Sequence, residues 1–362
     1  MHRIPTLALG LLVVAFACRA PAGPHGPAPE AGRVAISTDG GRVPLTFLAG
    51  SLDEEDLAEL ARTAPNLTVH AGLTQEQALE LAPGAHGIDG RFCSSELLRV
   101  APELVWVQAG SAGVERYLRV PELAERDQVV LTNMSGAAAS AIAEHALAML
   151  LVLTRRLEPR LAAAREGRWE RDLEGPEPIA LEGRTMVVLG LGAIGGELAR
   201  RADGLGMRVL ATRRSAAPAP DHVERVEPPE RTLELLAEAD VVAVCLPLTP
   251  QTEGLIDAQA LAAMKPGAFL INVARGRIVD SEALLEALER GHLAGACLDV
   301  TDPEPLPPDH PLWRLENVVI TPHVAGRAAL SSGRWRALYR ENLRRFAAGE
   351  PLLNVVDKVA GY

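Results

Sequence analysis

The feature that most restricts what this chain can fold into is the turn Gly190-Leu191-Gly192-Ala193-Ile194-Gly195. It lies between an apolar run, Met186 to Leu189, and a helical stretch, Glu197 to Ala202. A G-x-G-x-x-G pattern alone says little, but between a strand and a helix it describes a tight βα turn that a dinucleotide pyrophosphate can approach. Gly190 permits the turn. Gly192 removes the Cβ that would block the anion, and Gly195 lets the helix pack close to the strand. The free N–H groups of the helix start, at Ala193 and Ile194, and its positive end would then hold the anion.

Around this turn, short β runs alternate with helical stretches. Strands are expected near 185–189, 208–211, 241–246, 269–273, 294–299 and 318–321, which describes a doubly wound dinucleotide fold. Upstream, 43–48, 67–70, 103–108 and 129–132 read as strands. Residues 52–63 read as an amphipathic helix with Leu52, Leu57, Leu60 and Ala61 on one face. An Ala/Leu-rich helix from about 138 to 158 follows the turn at Ser135-Gly136 and joins the two series. A length of 362 residues favours two domains, because single cores rarely grow past about 250–300 residues. The expected class is α/β, with doubly wound parallel sheets.

Composition excludes several partners. Acidic residues outnumber basic ones 47 to 36, and the net charge of -11 repels nucleic-acid backbones and anionic lipid surfaces. Aromatics make up only 3%, so the cores must be aliphatic. Among the four cysteines there is no CxxC pair and no Cys/His cluster with zinc spacing, so no metal site is expected. Cys245 and Cys297 sit in apolar runs and read as small buried hydrophobes.

The first 18 residues stand apart. Arg3 and the amino terminus precede an apolar run from Ile4 to Ala17, which ends Ala15-Phe16-Ala17-Cys18. This is a signal peptide in layout, and its end resembles a bacterial lipobox with Cys18 as the lipidated residue. Residues 19–32, rich in Pro, Gly and Ala, suit a flexible linker. The expectation is a cell-envelope protein whose only link to the membrane is a lipid anchor at Cys18. The alternative is a cytoplasmic protein with an inert apolar tail or a misplaced start. The other long apolar stretch, Ala137 to Leu153, is interrupted by Glu144 and His145, so a soluble interdomain helix explains it better than a membrane span.

An NAD site usually carries an acid at the end of the second strand, to accept from the ribose hydroxyls. Here the residues are Leu210-Ala211-Thr212-Arg213-Arg214-Ser215. Arg213 and Arg214 suit the 2′-phosphate of NADP, with NAD still possible, unless they form a solvated basic loop.

Three later segments carry the chemistry: Asn272-Val273-Ala274-Arg275-Gly276-Arg277, Leu298-Asp299-Val300-Thr301-Asp302-Pro303-Glu304-Pro305, and Thr321-Pro322-His323-Val324-Ala325-Gly326. In kind, order and spacing they resemble the signature segments of the D-isomer-specific 2-hydroxyacid dehydrogenases, over essentially everything after residue 33. The resemblance implies that Arg275 holds a substrate carboxylate, that His323 exchanges the proton on the C2 oxygen, and that Glu304 pairs with His323. The residue types suit the chemistry, because imidazole ordinarily titrates near neutrality and guanidinium presents a charged fork to a carboxylate. It also implies that Ala274, Asp299 and Gly326 line the cofactor, with Asp299 facing the nicotinamide, and that Leu246, Pro247 and Thr252 form a cofactor-contacting loop. Ser111, Ala112 and Gly113 match the family's substrate loop, where backbone N–H groups meet the carboxylate. Glu115 stands where the family often has Asp. Trp313 either lines the substrate pocket or packs.

The implied architecture places the cofactor domain, 140–324, inside a split substrate domain, 33–139 and 325–362. The motifs resemble the glyoxylate/hydroxypyruvate reductase branch. They imply a small 2-oxo or 2-hydroxy acid as substrate, NAD(P) as cofactor and a homodimer. The rival is a dinucleotide-binding regulatory or scaffold protein of the same fold without turnover, which an exported location would favour.

Overall fold

The computed structural model describes residue 34 and residues 43–172 and 174–362. The expected signal peptide with its Cys18 and the expected linker lie outside these residues. Among the described residues, no helix is long and apolar enough to cross a membrane and no His/Cys/Asp/Glu group could hold a metal.

Two parallel sheets form the frame. The first contains β1 (Leu45–Leu48), β2 (Leu67–His70), β3 (Gly87–Asp89), β4 (Trp106–Gln108) and β5 (Val130–Thr132), in the order β2-β1-β3-β4-β5. The second contains β6 (Thr185–Leu189), β7 (Arg208–Thr212), β8 (Arg225–Glu227), β9 (Val241–Val244), β10 (Ala268–Asn272), β11 (Leu293–Leu298) and β12 (Val318–Ile320). Its order is β12-β11-β10-β9-β6-β7-β8. Chain direction around the second sheet reverses between β6 and β9, which opens a crevice at their carboxyl ends where ligands of such sheets bind. The sequence reading found six strands here; the seventh, β8, is the polar edge strand Arg-Val-Glu, which carries no apolar run to betray it. In the first sheet β3, three residues long, was likewise missed.

The interior strands β6, β9 and β10 are buried along their whole length, as strands covered by helices on both faces must be. The interdomain helix Ala139–Thr154 buries Ala143, Ala146, Leu147, Met149 and Leu150 against β6, β7 and β9. It stops four residues short of the expected end. Arg156 turns left-handed at φ 51°, and a second helix, Leu157–Arg165, leaves in a new direction.

The chain returns to the first sheet through the helix Ala329–Ala348, whose Tyr339, Leu343 and Phe346 complete the core made by Leu45, Phe47 and Trp106. A buried polar cluster fixes this return. Asn342 Nδ2 donates to Gln108 Oε1 at 2.9 Å, and Thr132 Oγ1 donates to the same oxygen at 2.9 Å. The Trp106 indole in turn donates to Thr132 Oγ1 at 2.8 Å. Val355 then pairs antiparallel with Thr132. The first sheet and its core are thus assembled from two separate segments of the chain, with the second sheet inserted between them.

Candidate active site

The glycine turn and the segments of Arg213, Thr252, Arg275, Glu304 and His323 leave the carboxyl edge of the second sheet, while the Ser111–Gly113 loop follows β4 of the first. The glycine turn follows β6. Gly190 has φ 95°, and a Cβ there would meet Cys245 O at 2.8 Å. A Cβ on Gly195 would lie 2.0 Å from Gly190 O and 2.9 Å from Val188 Cγ1, so this glycine permits the close helix–strand packing. A Cβ on Gly192 would meet nothing within 4 Å, which leaves its backbone open to a ligand. Gly192 caps the helix Ala193–Gly204 without a side-chain bond, so the first-turn N–H groups remain available. Thr212, at the end of β7, holds the turn by accepting from Gly190 N at 3.1 Å. The donors, the open approach and the helix end fit a dinucleotide pyrophosphate.

The two arginines after β7 differ. Arg213 donates to the carbonyls of Ser215 (3.1 Å), Ala217 and Pro218 (3.2 Å) and so builds its own loop. Arg214 is exposed, with its guanidinium 4.3 Å from the ring centroid of Tyr362. After β9, Thr252 Oγ1 donates to Pro247 O at 2.6 Å and accepts from Thr249 N at 2.8 Å. Its hydroxyl therefore shapes the Leu246–Thr252 loop from within. Leu246 and Pro247 are half-buried, and Leu246 lies beside Gly190 of the glycine turn.

After β10, Asn272 accepts from Ala274 N at 3.1 Å and donates to Arg275 O at 2.9 Å. Gly276 packs so close to Thr301 that a Cβ would lie 1.9 Å from its carbonyl. Arg275 is thereby aimed across the cleft. Its Nε lies 3.0 Å from Glu115 Oε1 of the first domain, and its Nη1 donates to Ala274 O at 2.7 Å. Its Nη2 rests against Gly113, where a Cβ would fall only 1.6 Å away.

Gly113 ends a loop whose carbonyls are tied down. Gly110 O accepts from the Trp335 indole (3.0 Å), Ser111 O from Met134 N (3.0 Å), and Ala112 O from Asn133 Nδ2 (2.9 Å). Gly113 O accepts from Ser111 Oγ at 2.7 Å. The N–H groups of Ser111, Ala112 and Gly113 donate to no protein acceptor among the described residues. Free amides beside a guanidinium make an anion site.

His323 follows β12 at φ 52°, a left-handed state uncommon for a residue with a Cβ. Its Nδ1 lies 2.7 Å from Glu304 Oε1, and both side chains are exposed. A carboxylate can only accept, so Nδ1 carries the proton of this bond and Nε2 is left to exchange one. Asp299 is buried at the end of β11. Its Oδ1 accepts from Thr321 Oγ1 (2.6 Å) and Val324 N (2.9 Å), and its Oδ2 from Ala325 N (3.0 Å). It therefore brackets the His323 turn. Gly326 touches Ala138 at the start of the interdomain helix, where a Cβ would sit 3.4 Å from Ala138 Cβ. The Trp313 indole donates to Pro307 O at 2.9 Å, which fastens its own loop. Burial pushes the Cys245 thiol up to about 12 and raises that of Cys297 further, so neither is a nucleophile at neutral pH. Sequence reasoning missed His145, Thr321 and Asn272; a histidine inside an Ala/Leu helix was the one signal for the first of these.

A doubly wound sheet with an open glycine turn at its switch point, and an Arg, Glu and His set leaving the same edge, defines an NAD(P)-dependent oxidoreductase. The chain belongs to the D-isomer specific 2-hydroxyacid dehydrogenase family, whose NAD binding domain matches residues 147–325. It is 37% identical over 269 residues to the glyoxylate reductase of Korarchaeum cryptofilum, spanning 73% of this chain and 79% of that protein. Among solved structures it is similar to a D-isomer specific 2-hydroxyacid dehydrogenase from Xanthobacter autotrophicus Py2 in complex with NADPH and MES. That likeness has 32% identity and TM-score 0.72, covering 88% of this chain and 100% of that one. It is also similar to the NADPH-dependent glyoxylate/hydroxypyruvate reductase from Sinorhizobium meliloti, solved with NADP and sulfate. There the identity is 29% and the TM-score 0.73, over 88% of this chain and 100% of the other. The protein is an NAD(P)-dependent 2-hydroxyacid dehydrogenase/reductase enzyme with a fold related to the glyoxylate/hydroxypyruvate reductases.

Proposed function

We propose that the enzyme reduces a small 2-oxo acid of the glyoxylate or hydroxypyruvate type to its D-2-hydroxy acid, with NADPH preferred over NADH. The observation that carries this reading is the His323–Glu304 pair at 2.7 Å, which leaves Nε2 as the one ring atom able to exchange a proton. The free N–H groups of Ser111, Ala112 and Gly113 and the Nη2 of Arg275 bind the substrate carboxylate. Arg275 also polarises the C2 carbonyl. When bound, the nicotinamide supplies the hydride for C2. His323 Nε2 gives its proton to the C2 oxygen, and Glu304 steadies the ring as its charge changes. Leu246, Pro247, Ala274 and Gly326 would border the cofactor, and Asp299, whose buried carboxylate accepts from Thr321, Val324 and Ala325, would support the His323 turn behind them.

Preference for NADPH rests on Arg214. No acid is present at the end of β7 to repel a 2′-phosphate, and Arg213 orders the loop that presents its neighbour. A charge-assisted bond worth about 1.4 kcal/mol already gives tenfold discrimination. The measurement is kcat/KM for NADPH and NADH with glyoxylate and hydroxypyruvate at fixed ionic strength. The expected result is a preference for NADPH that Arg214→Ala reduces about tenfold. Equal use of both cofactors by the unmutated protein would show that the arginines are only a solvated loop.

A dinucleotide-binding protein of this fold without turnover is the second reading. Engagement of Arg275 by Glu115 favours it, because that ion pair competes with a substrate carboxylate. It predicts NADPH binding with no oxidation by any 2-oxo acid.

A further inference from the structure

The proton inventory around Asp299 singles out a residue that the catalytic set does not include. Thr321 Oγ1 lies 2.6 Å from Asp299 Oδ1 and 2.9 Å from His145 Nε2. A hydroxyl has one proton to give, and an ionised carboxylate has none. The short bond to Asp299 therefore takes the Thr321 proton, ahead of the weaker 3.5 Å contact to Met149 Sδ. Thr321 must then accept from His145, so His145 Nε2 carries a hydrogen. The same nitrogen lies 3.7 Å from Asp299 Oδ1, where its positive N–H edge further favours the carboxylate.

Asp299 passes this constraint to the catalytic turn. Its two oxygens accept from Val324 N and Ala325 N, and its own carbonyl accepts from His323 N at 2.8 Å. These bonds bracket the left-handed backbone of His323. His145 stands on the interdomain helix Ala139–Thr154, in the middle of an Ala/Leu run where packing alone would select an apolar residue. The network is half-buried at His145 and Thr321 and buried at Asp299, and a fully satisfied network of this kind fixes its geometry.

We propose that His145 is a positioning residue: its Nε2–H locks the Thr321–Asp299 pair that anchors the turn carrying His323. The proposal rests on reading His323 as the proton-transferring group.

The test has two arms on the purified protein. Nitrogen-15 NMR of the imidazole groups should show His145 protonated at Nε2; a neutral ring protonated at Nδ1 overturns the proposal without any variant. In the second arm, His145→Leu should lower kcat with glyoxylate and NADPH roughly tenfold, the effect of one lost hydrogen bond, with little change in NADPH affinity. His145→Gln, whose amide can still donate, should recover most of that loss. Full kcat in His145→Leu, or equal loss in the Leu and Gln variants, contradicts the positioning role. His323→Ala is assayed alongside. If it keeps turnover, the proton-transfer reading fails; if it is inactive while His145→Leu is fully active, only the role of His145 fails. Should His145→Leu not fold, the NMR result on the unmutated protein decides.

Discussion

Arg275 and Gly113 show how much a single missing methyl can matter. The guanidinium reaches the anion site only because no Cβ stands on Gly113: one placed there would fall 1.6 Å from Nη2 and 2.7 Å from Glu115 Oε2. Gly113→Ala must push both groups away from the cleft. The expected result is a KM for the 2-oxo acid raised on the order of 10–100-fold, with NADPH affinity unchanged, because only the carboxylate-binding geometry is lost. Steady-state kinetics combined with NADPH fluorescence titration separates the two, and an unchanged KM would place the carboxylate elsewhere. Arg275, Glu304 and His323 were legible in the sequence through the resemblance of their segments to the dehydrogenase family, and their types suit carboxylate binding and proton exchange. Their supports were not. Thr321 and His145 meet through a hydrogen bond between residues 176 positions apart, which no local pattern encodes, while Asn272 acts locally on Ala274 and Arg275 but as an ordinary strand-end amide carries no signal of its own.

At the scale of elements, the strand–turn–helix at Thr185–Gly204 is where sequence and structure agree best. An apolar pentapeptide, a glycine turn and a helix are each written in local chemistry. Elements whose position depends on neighbours were harder to read. Strand β8 is a polar tripeptide held at the sheet edge by pairing with β7. The break after Thr154 depends on the left-handed turn at Arg156, whose guanidinium donates to Pro176 O at 3.0 Å and to Glu174 O at 2.5 Å. The glycine turn carries its own prediction. In Gly195→Ala the added methyl would lie 2.0 Å from Gly190 O, so helix and turn must separate. NADPH affinity should fall at least tenfold and thermal stability should drop with it, by roughly 1–3 kcal/mol for an overpacked contact. Calorimetric titration and thermal unfolding check this; retention of both properties would mean that the turn tolerates a wider gap than its packing implies.

For the whole molecule, the central fact is that the chain leaves one sheet, builds another and comes back. The return is secured by Asn342, which is fully buried. It donates to Gln108 Oε1 and to Leu353 O at 3.2 Å, and it accepts from Leu353 N at 2.8 Å. Asn342→Leu would remove all three bonds and leave the half-buried Leu353 N–H without its acceptor. The expected loss is about 1–3 kcal/mol in denaturant unfolding, from the lost hydrogen bonds and the half-buried groups they served. A variant as stable as the parent would show that apolar packing of the helix alone holds the split domain together. The alternation of strands and helices made two sheets legible. Strand order within each sheet was not read directly, because it is set by which edges the crossovers can cover.

Turnover as proposed depends on proton transfer by His323 within a cleft that also takes up NADPH. The most direct measurement follows NADPH oxidation with glyoxylate and hydroxypyruvate by the unmutated protein and by His323→Ala, with NADPH binding of both measured by fluorescence. The account predicts steady turnover by the first, a kcat lower by roughly 10²–10⁴-fold in the second, and equal NADPH affinity. No turnover by the unmutated protein despite tight NADPH binding, or a His323→Ala variant as fast as its parent, would contradict it.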